Sequence, residues 1–395
     1  MMTPPLTDNL FDFITANATA DTARLRLRHH GDPEMLWAAM QIDCRRRSAT
    51  RLAATLARAP RFIFPTEISA QQCTSDALAE LHAALISPGE RVLDMTAGLG
   101  IDALHIASRA ASVTAIDITP EVADTLRHNA AEMYLTNITP VCADSTQWIR
   151  TTDEHFDTVF IDPARRGEQG ERLYALEQCR PNVVALMPQL REITRRVIVK
   201  ASPMLDISRT LEELTGITDI YLYGTATECK ELTAVVSTDA STVIAPTIHA
   251  VTPGAPDITF TLPEEAEAAP EYAAPAEGMI IHEPLPAVMK SGCFKLLSTR
   301  FNLAKADPRT HLYFSDEPSS EAPTRQYRIE KLYDFSKRAI AECARAYPKA
   351  NIAVRDFIIG APELAKRLKV REGGDVHIFG FTASGKRMLA ACCRV

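Results

Sequence analysis

Val92-Leu93-Asp94-Met95-Thr96-Ala97-Gly98-Leu99-Gly100-Ile101-Asp102 is the stretch that decides the fold. An apolar strand ends on an acid, a turn with two glycines follows, and a helix begins. Glycine lets backbone pass close to a ligand where a Cβ would clash. In doubly wound sheets the crevice beyond the strand carboxyl ends is where ligands sit. Gly98-x-Gly100-x-x-Ala103 also fits a loose dinucleotide fingerprint, a weak signal alone. Asp94, four residues before Gly98, separates the readings. A carboxylate beside the loop suits a ligand bearing an ammonium group and repels a pyrophosphate.

Working outward, short apolar and β-branched runs alternate with helix-length stretches. Strands are expected at residues 91–95, 113–118, 139–142, 158–161, 196–200, 217–222 and 232–236. Helices are expected at residues 102–109, 120–134, 145–152 and 173–191. This alternation predicts an α/β fold with a parallel, doubly wound sheet. The last two strands lack room for a helix between them, so the final one is expected to be antiparallel.

Three further acids fall at successive strand ends. Asp117, with Ile118 beside it, is placed to accept from ribose hydroxyls. Asp144, followed by Ser145, is placed at an adenine edge, and Asp162 stands beside the position of a transferred methyl. A single such acid is ordinarily a cap or turn residue. Four in register point instead to S-adenosyl-L-methionine (SAM). The expected cofactor set is Asp94, Thr96, Ala97, Gly98, Gly100, Asp102, Asp117, Ile118, Asp144, Ser145 and Asp162. A nicotinamide dehydrogenase needs a hydride-transfer site, for which no residues present themselves.

Composition bounds the rest. The 395 residues, 46% hydrophobic and 24% charged, suit two or three globular domains. No apolar run spans a membrane, and residues 1–10 lack the segments of a secretory leader. The nine cysteines are dispersed, without zinc spacing, so no metal and a reduced, cytoplasmic setting are expected. The net charge of −7 conceals a basic tail: residues 325–395 hold 15 Lys/Arg against 7 Asp/Glu. That is either a footprint for nucleic acid or a solvated surface.

Residues up to about 61 read as helical, with Pro33 at a helix start. Arg45, Arg46, Arg47, Arg51 and Arg58 there suit a solvated face better than phosphate contacts. Residues 240–278, rich in Pro, Ala, Glu and Thr, read as a loose or irregular connection. Beyond it lie two small α+β modules. Residues 327–347 are expected to be helical, 351–359 a strand, 362–368 a helix, and 376–381 and 387–393 strands.

The order Asp94-x-x-x-Gly98-x-Gly100, Asp117, Asp144, Asp162-Pro163 resembles the class I methyltransferases. Phe64-Pro65, Gln71-Gln72-Cys73-Thr74-Ser75-Asp76, Val199-Lys200-x-Ser202-Pro203-Met204-x-Asp206, Glu228-Cys229-Lys230-Glu231, Glu283-Pro284 with Lys290, and Gly373-Gly374-Asp375 extend the likeness along nearly the whole chain. Together they resemble a bacterial methyltransferase family with a THUMP-like domain. The resemblance implies an N-terminal helical region (1–64), a Rossmann-like domain with a seven-stranded sheet (65–240), a connection (241–278), a ferredoxin-like module (279–322) and a THUMP-like module (323–395). It also implies RNA, ribosomal or transfer, as substrate class, by analogy of architecture.

Asp162-Pro163-Ala164-Arg165-Arg166-Gly167 bears on the acceptor. It departs from the Asp/Asn-Pro-Pro-aromatic loop of exocyclic-amine methyltransferases, although Asp162 and the Pro163 carbonyl still accept. Arg165 and Arg166 either stack on or pair with RNA, or pair with Glu168 and Glu171. The loop also resembles that of the five-methyluridine enzymes, whose nucleophilic cysteine follows the fifth strand. Here Lys200-Ala201-Ser202-Pro203 stands there, and carbon methylation of a pyrimidine needs a thiolate. Lys200 is either a tuned amine near the acceptor or an edge lysine reaching for solvent. Asp162, Pro163 and Lys200 are the catalytic candidates; Arg165, Arg166, Lys366, Arg367, Lys369 and Arg371 are the RNA candidates. Methylation of a protein or small molecule, and a non-catalytic protein binding SAM and RNA, remain the alternatives.

Overall fold

A computed structural model describes residues 3–164, 175–239 and 245–395. Four helices open the chain: α1 (Asp8–Ala16), α2 (Thr22–Arg28), α3 (Pro33–Ser48) and α4 (Ala53–Arg58). Asp32 caps α3 by accepting from the Glu34 and Met35 amides, and Pro33 occupies its first turn. Buried Gln41 on α3 meets both backbone groups of Phe64: its amide donates to the carbonyl at 2.8 Å and its oxygen accepts from the N–H at 2.9 Å. Arg46, Arg47, Arg51 and Arg58 are exposed, as a solvated face requires, and Arg45 is half-buried. Arg45 donates to the Pro60 and Phe62 carbonyls, Arg51 to that of Gln71 and Arg58 to that of Met133, so they pin loops.

Next come α5 (Glu67–Gln72), α6 (Asp76–Ala84), β1 (Arg91–Asp94), α7 (Ile101–Ala107), β2 (Ser112–Asp117), α8 (Pro120–Glu132), β3 (Ile138–Cys142), α9 (Ser145–Trp148), β4 (Phe156–Ile161), α10 (Val183–Ile193), β5 (Thr194–Ala201), α11 (Ile207–Glu213), β6 (Ile217–Gly224) and β7 (Cys229–Ser237). All seven expected strands form. Of the helix expected over 173–191, the described part is a 3-10 turn at Leu176–Gln178 and then α10. Pro181 lacks an N–H to continue a helix, and Asn182 caps a new one at the Ala185 amide. The α11 helix, capped by Asp206 at the Arg209 amide, was not expected.

The sheet runs β3-β2-β1-β4-β5-β7-β6, the order of a class I methyltransferase, and continues with β8 (Thr247–Val251) and β9 (Ile258–Thr261). It thus has nine strands, two more than expected. The pairs β1–β2, β1–β4, β2–β3 and β4–β5 are parallel, so their carboxyl ends share one edge. The four-residue turn Thr225–Glu228 forces β7 antiparallel to β6.

The loose connection expected at 241–278 is corrected within its described part. Ile248 and Ala250 on β8, and Ile258 and Phe260 on β9, are buried on a two-residue period, which ties them into the sheet. A capping box joins Thr261 and Glu264 at the start of α12 (Leu262–Glu267). Glu265 then accepts from the amides of Phe294, Lys295 and Leu296, capping a helix further along.

The remaining elements are β10 (Ile280–Pro284), α13 (Pro286–Ser291), α14 (Lys295–Phe301), β11 (Ala304–Lys305), β12 (Tyr313–Ser315), β13 (Thr324–Asp334), α15 (Lys337–Ala346), β14 (Asn351–Arg355), α16 (Ala361–Leu368), β15 (Val376–Ala383) and β16 (Lys386–Arg394). They build one seven-stranded sheet, β11-β12-β10-β13-β16-β15-β14, so the two modules read separately share a sheet. The helix expected at 327–347 is corrected: its first part is β13, because Tyr327 and Ile329 alternate into the core. The helix starts only after the Ser336 cap. Compact units divide the chain as Met1–Thr218 with Thr233–Val243, and Asp219–Leu232 with Ile244–Val395. The N-terminal helices therefore share a unit with the parallel strands. No helix among the described residues is long and apolar enough to cross a membrane.

Candidate active site

Parallel pairing brings the ends of β1, β2, β3, β4 and β5 to one edge, and with them the expected acids. Asp94 closes β1 and is 1% exposed. It accepts from the Thr96 amide at 3.0 Å. Burial, the dominant effect, pushes its carboxyl up to about 8 despite that bond. A cation placed beside it would relieve the penalty, which makes it a natural seat for an ammonium group. Gly98 holds φ +53 and Gly100 φ +86, both left-handed. A Cβ on Gly100 would lie 2.3 Å from Leu126 Cδ1, so this glycine also lets α8 approach the turn. A Cβ on Gly98 meets nothing nearer than the Thr96 carbonyl at 3.9 Å, leaving space beside the loop.

Asp117 fixes the loop geometry. It accepts from the Gly98 amide at 3.2 Å and from the Thr119 amide at 2.8 Å, while the Ala97 amide donates to the Ile116 carbonyl. Ile118 beside it is 69% exposed, an apolar surface at the strand end with no core to join. Asp144 caps α9 through Thr146, whose hydroxyl holds its carboxyl below the ordinary value. Ser145 opens that helix and is buried.

The acceptor side is knitted to the first loop. The Asp162 amide donates to Thr96 Oγ1 at 2.7 Å. Lys200 at the end of β5 sets its Nζ 2.7 Å from Asp162, 2.7 Å from Thr74 Oγ1 and 3.2 Å from Asp102. At 4% exposure Lys200 is not an edge lysine reaching for solvent. Pro163 is buried and Ala164 exposed. Arg165 and Arg166 lie outside the described residues.

Asp102 does more inside the protein than expected of a cofactor-facing acid. Its carboxylate accepts from Thr74 Oγ1 at 2.5 Å and meets His82 Nδ1 at 2.7 Å as well as Lys200. Burial alone would raise this carboxyl; Lys200 and His82 outweigh it and hold the group far below the usual range. His82, wholly buried on α6, is the site residue that sequence reasoning missed. It lies 20 residues from its partner, and no local spacing marks it.

No cysteine directly follows β5, and the thiol at this edge is Cys142, exposed at the end of β3. All nine cysteines are free; burial raises Cys73, and pushes Cys229 up to about 11. Glu228, in the turn before β7, pairs with Lys230 at the exposed start of that strand, and Glu231 is buried. On the second sheet, Lys366, Arg367, Lys369 and Arg371 are exposed on α16 and just beyond it, with Arg367 paired to Glu363 at 2.6 Å. Among the described residues no group of acids, histidines and cysteines is placed to hold a metal ion.

Comparison with known proteins agrees with this architecture. Residues 92–180 match a methyltransferase domain, 281–323 a ferredoxin-like domain and 324–394 a THUMP domain-like module. A solved structure of a candidate methyltransferase from Porphyromonas gingivalis W83 superposes with a TM-score of 0.87. It is 26% identical and covers 98% of each chain. Over 123 residues the chain is 36% identical to the 23S rRNA (uracil(1939)-C(5))-methyltransferase RlmD of Pectobacterium carotovorum, covering 29% of this chain and 26% of that protein. It is 28% identical over 99 residues to an uncharacterized RNA methyltransferase of Mycoplasma mobile, covering 25% and 27%. The chain thus spans about a quarter of the length of these curated relatives.

Proposed function

From a chain that joins a methyltransferase domain to ferredoxin-like and THUMP-like domains, we propose a SAM-dependent methyltransferase that modifies a base of structured RNA in the cytoplasm. The observation that carries this is the shared strand edge, which carries Asp94, Asp117, Asp144 and Asp162 at successive strand ends along with the Gly98–Gly100 turn. Bound SAM supplies a methyl group on a sulfonium. Asp94 takes the ammonium, Asp117 the ribose hydroxyls, Ile118 an adenine face and Asp144 an adenine edge. Asp162 and the Pro163 carbonyl would orient the acceptor for transfer. Lys200 fixes the Asp162 carboxylate against Thr74 and Asp102.

Ring-carbon chemistry of the kind named for the Pectobacterium relative is disfavoured here. It requires a thiolate after β5, where Lys200-Ala201-Ser202-Pro203 stands. A nitrogen or oxygen acceptor needs positioning and one proton acceptor, which Asp162 supplies. Arg165 and Arg166, which follow Ala164 in the sequence, together with Lys366, Arg367, Lys369 and Arg371, hold the RNA backbone.

Extract from cells lacking the gene, incubated with the protein and methyl-labelled SAM, tests the reading. Label in RNA supports it. Label only in protein or small molecules, or SAM binding without transfer to anything, replaces it with one of the other readings.

A further inference from the structure

The second sheet has two faces. One carries α15 and α16 over a core that includes Tyr333, Cys343, Leu364 and Leu368. The other packs Ile281, Tyr327, Ile329, Phe379 and Cys392. Strand alternation puts Glu283, Arg325, Arg355 and Arg394 on this second face, since each lies an even number of residues from one of its core positions. Glu283 pairs with Arg325 across β10 and β13, and Tyr327 with Arg394 across β13 and β16.

Glu283 is 3% exposed and holds two guanidiniums at once: Arg325 at 2.8 Å, and Arg355, which contacts its other oxygen. One carboxylate balances one of them. The Nε–H groups of Arg325 and Arg355 are buried without an acceptor among the described residues. Arg394 is exposed and has no hydrogen-bond or ion-pair partner among the described residues. It nevertheless lies close enough to act on Tyr327 and His377, as do Glu283 and Arg325. Burial is the main influence lowering His377, so the imidazole adds no charge near neutrality. The cluster is therefore two positive charges in excess, with Arg325 and Arg355 held in place by the buried Glu283 and Arg394 beside them at the surface. Guanidiniums pre-ordered in this way suit the paired oxygens of a phosphodiester.

We propose that Arg325, Arg355 and Arg394 form a phosphodiester-binding site on the face of this sheet opposite α16, which holds a stretch of substrate backbone beyond that held by the residues on and beside α16. This rests on the reading of RNA as substrate. Arg355 and Arg394 are the positions to change. Glu283 keeps Arg325 when Arg355 is replaced, and Arg394 has no partner among the described residues to abandon.

Anisotropy of a fluorescein-labelled RNA hairpin, titrated with full-length protein over a salt series, tests the site. Arg355→Gln/Arg394→Gln should weaken binding severalfold and reduce the slope of log affinity against log salt by about two. Lys331→Gln, which removes a charge already paired with Glu277, should leave the slope unchanged. Thermal unfolding and SAM affinity should match wild type in all variants. An unchanged slope in the double variant, with wild type binding the hairpin, overturns the site alone. No binding by wild type overturns the RNA reading and the site with it.

Discussion

Replacing Asp94 with Asn should make the protein more stable and a worse binder of SAM. The carboxyl moves from an ordinary 3.8 to about 8 on burial. Because the folded value lies above the unfolded one, the folded state keeps the proton longer. Stability is then fully present below about pH 4 and declines as pH rises toward 8. Each unit of difference is worth about 1.4 kcal/mol, so the penalty accumulated by pH 7 has a ceiling of about 4 kcal/mol. Asparagine keeps an oxygen for the Thr96 amide and has nothing to ionise, so Asp94→Asn should gain about 2–4 kcal/mol at pH 7. Both tryptophans, Trp37 and Trp148, lie in the unit that contains the site. Urea unfolding followed by tryptophan fluorescence therefore reads that unit directly. The same change removes a charge-assisted bond to the ligand ammonium and should weaken SAM binding about 10- to 100-fold. Wild-type affinity should rise with pH toward 8, and that of the variant should not. A variant less stable than wild type at pH 7, or one binding SAM equally well, refutes the reasoning.

Gly100→Ala should cost about 2 kcal/mol and much of the SAM affinity, from its left-handed φ and the clash with Leu126. Made in a Leu126→Ala background, the same change should cost less by the share due to the clash, as read by urea unfolding and calorimetry of both pairs. Lys200→Met leaves Asp102 and Asp162 without their shared ammonium. It should destabilise the site-bearing unit by about 3–5 kcal/mol in the same fluorescence assay. His82→Ala removes a fully buried partner of Asp102 and should cost about 2–4 kcal/mol, lowering the melting temperature even with SAM bound.

The seven strands β1–β7, and the acids at or just after the ends of the first four of them, were legible because each depends on local pattern: an apolar β-branched run, with an Asp and a turn closing each of the first four. Asp94 and Gly98 lie in one continuous stretch, and register follows from parallel topology. The support beneath them was not legible. Asp102 reaches Thr74 across 28 residues and Lys200 across 98, and only the folded chain brings these together. Residues 247–261 were misread because prolines and acids nearby masked the two-residue burial of Ile248, Ala250, Ile258 and Phe260. At 327–334 the strand was lost because it runs directly, through Ser336, into a true helix. The charges of 325–395 were countable from sequence, but which of them share a sheet face was not, since that depends on pairing Glu283 with Arg325 and Tyr327 with Arg394.

The most direct test of the central claim is tritium transfer from methyl-labelled SAM to RNA from cells lacking the gene, comparing purified wild type with Asp162→Ala. Label in RNA with wild type, lost with Asp162→Ala while calorimetry shows SAM still bound, is the predicted result. Equal labelling by both proteins would contradict the role given to Asp162, and no labelling by a wild type that binds SAM would contradict RNA methylation itself.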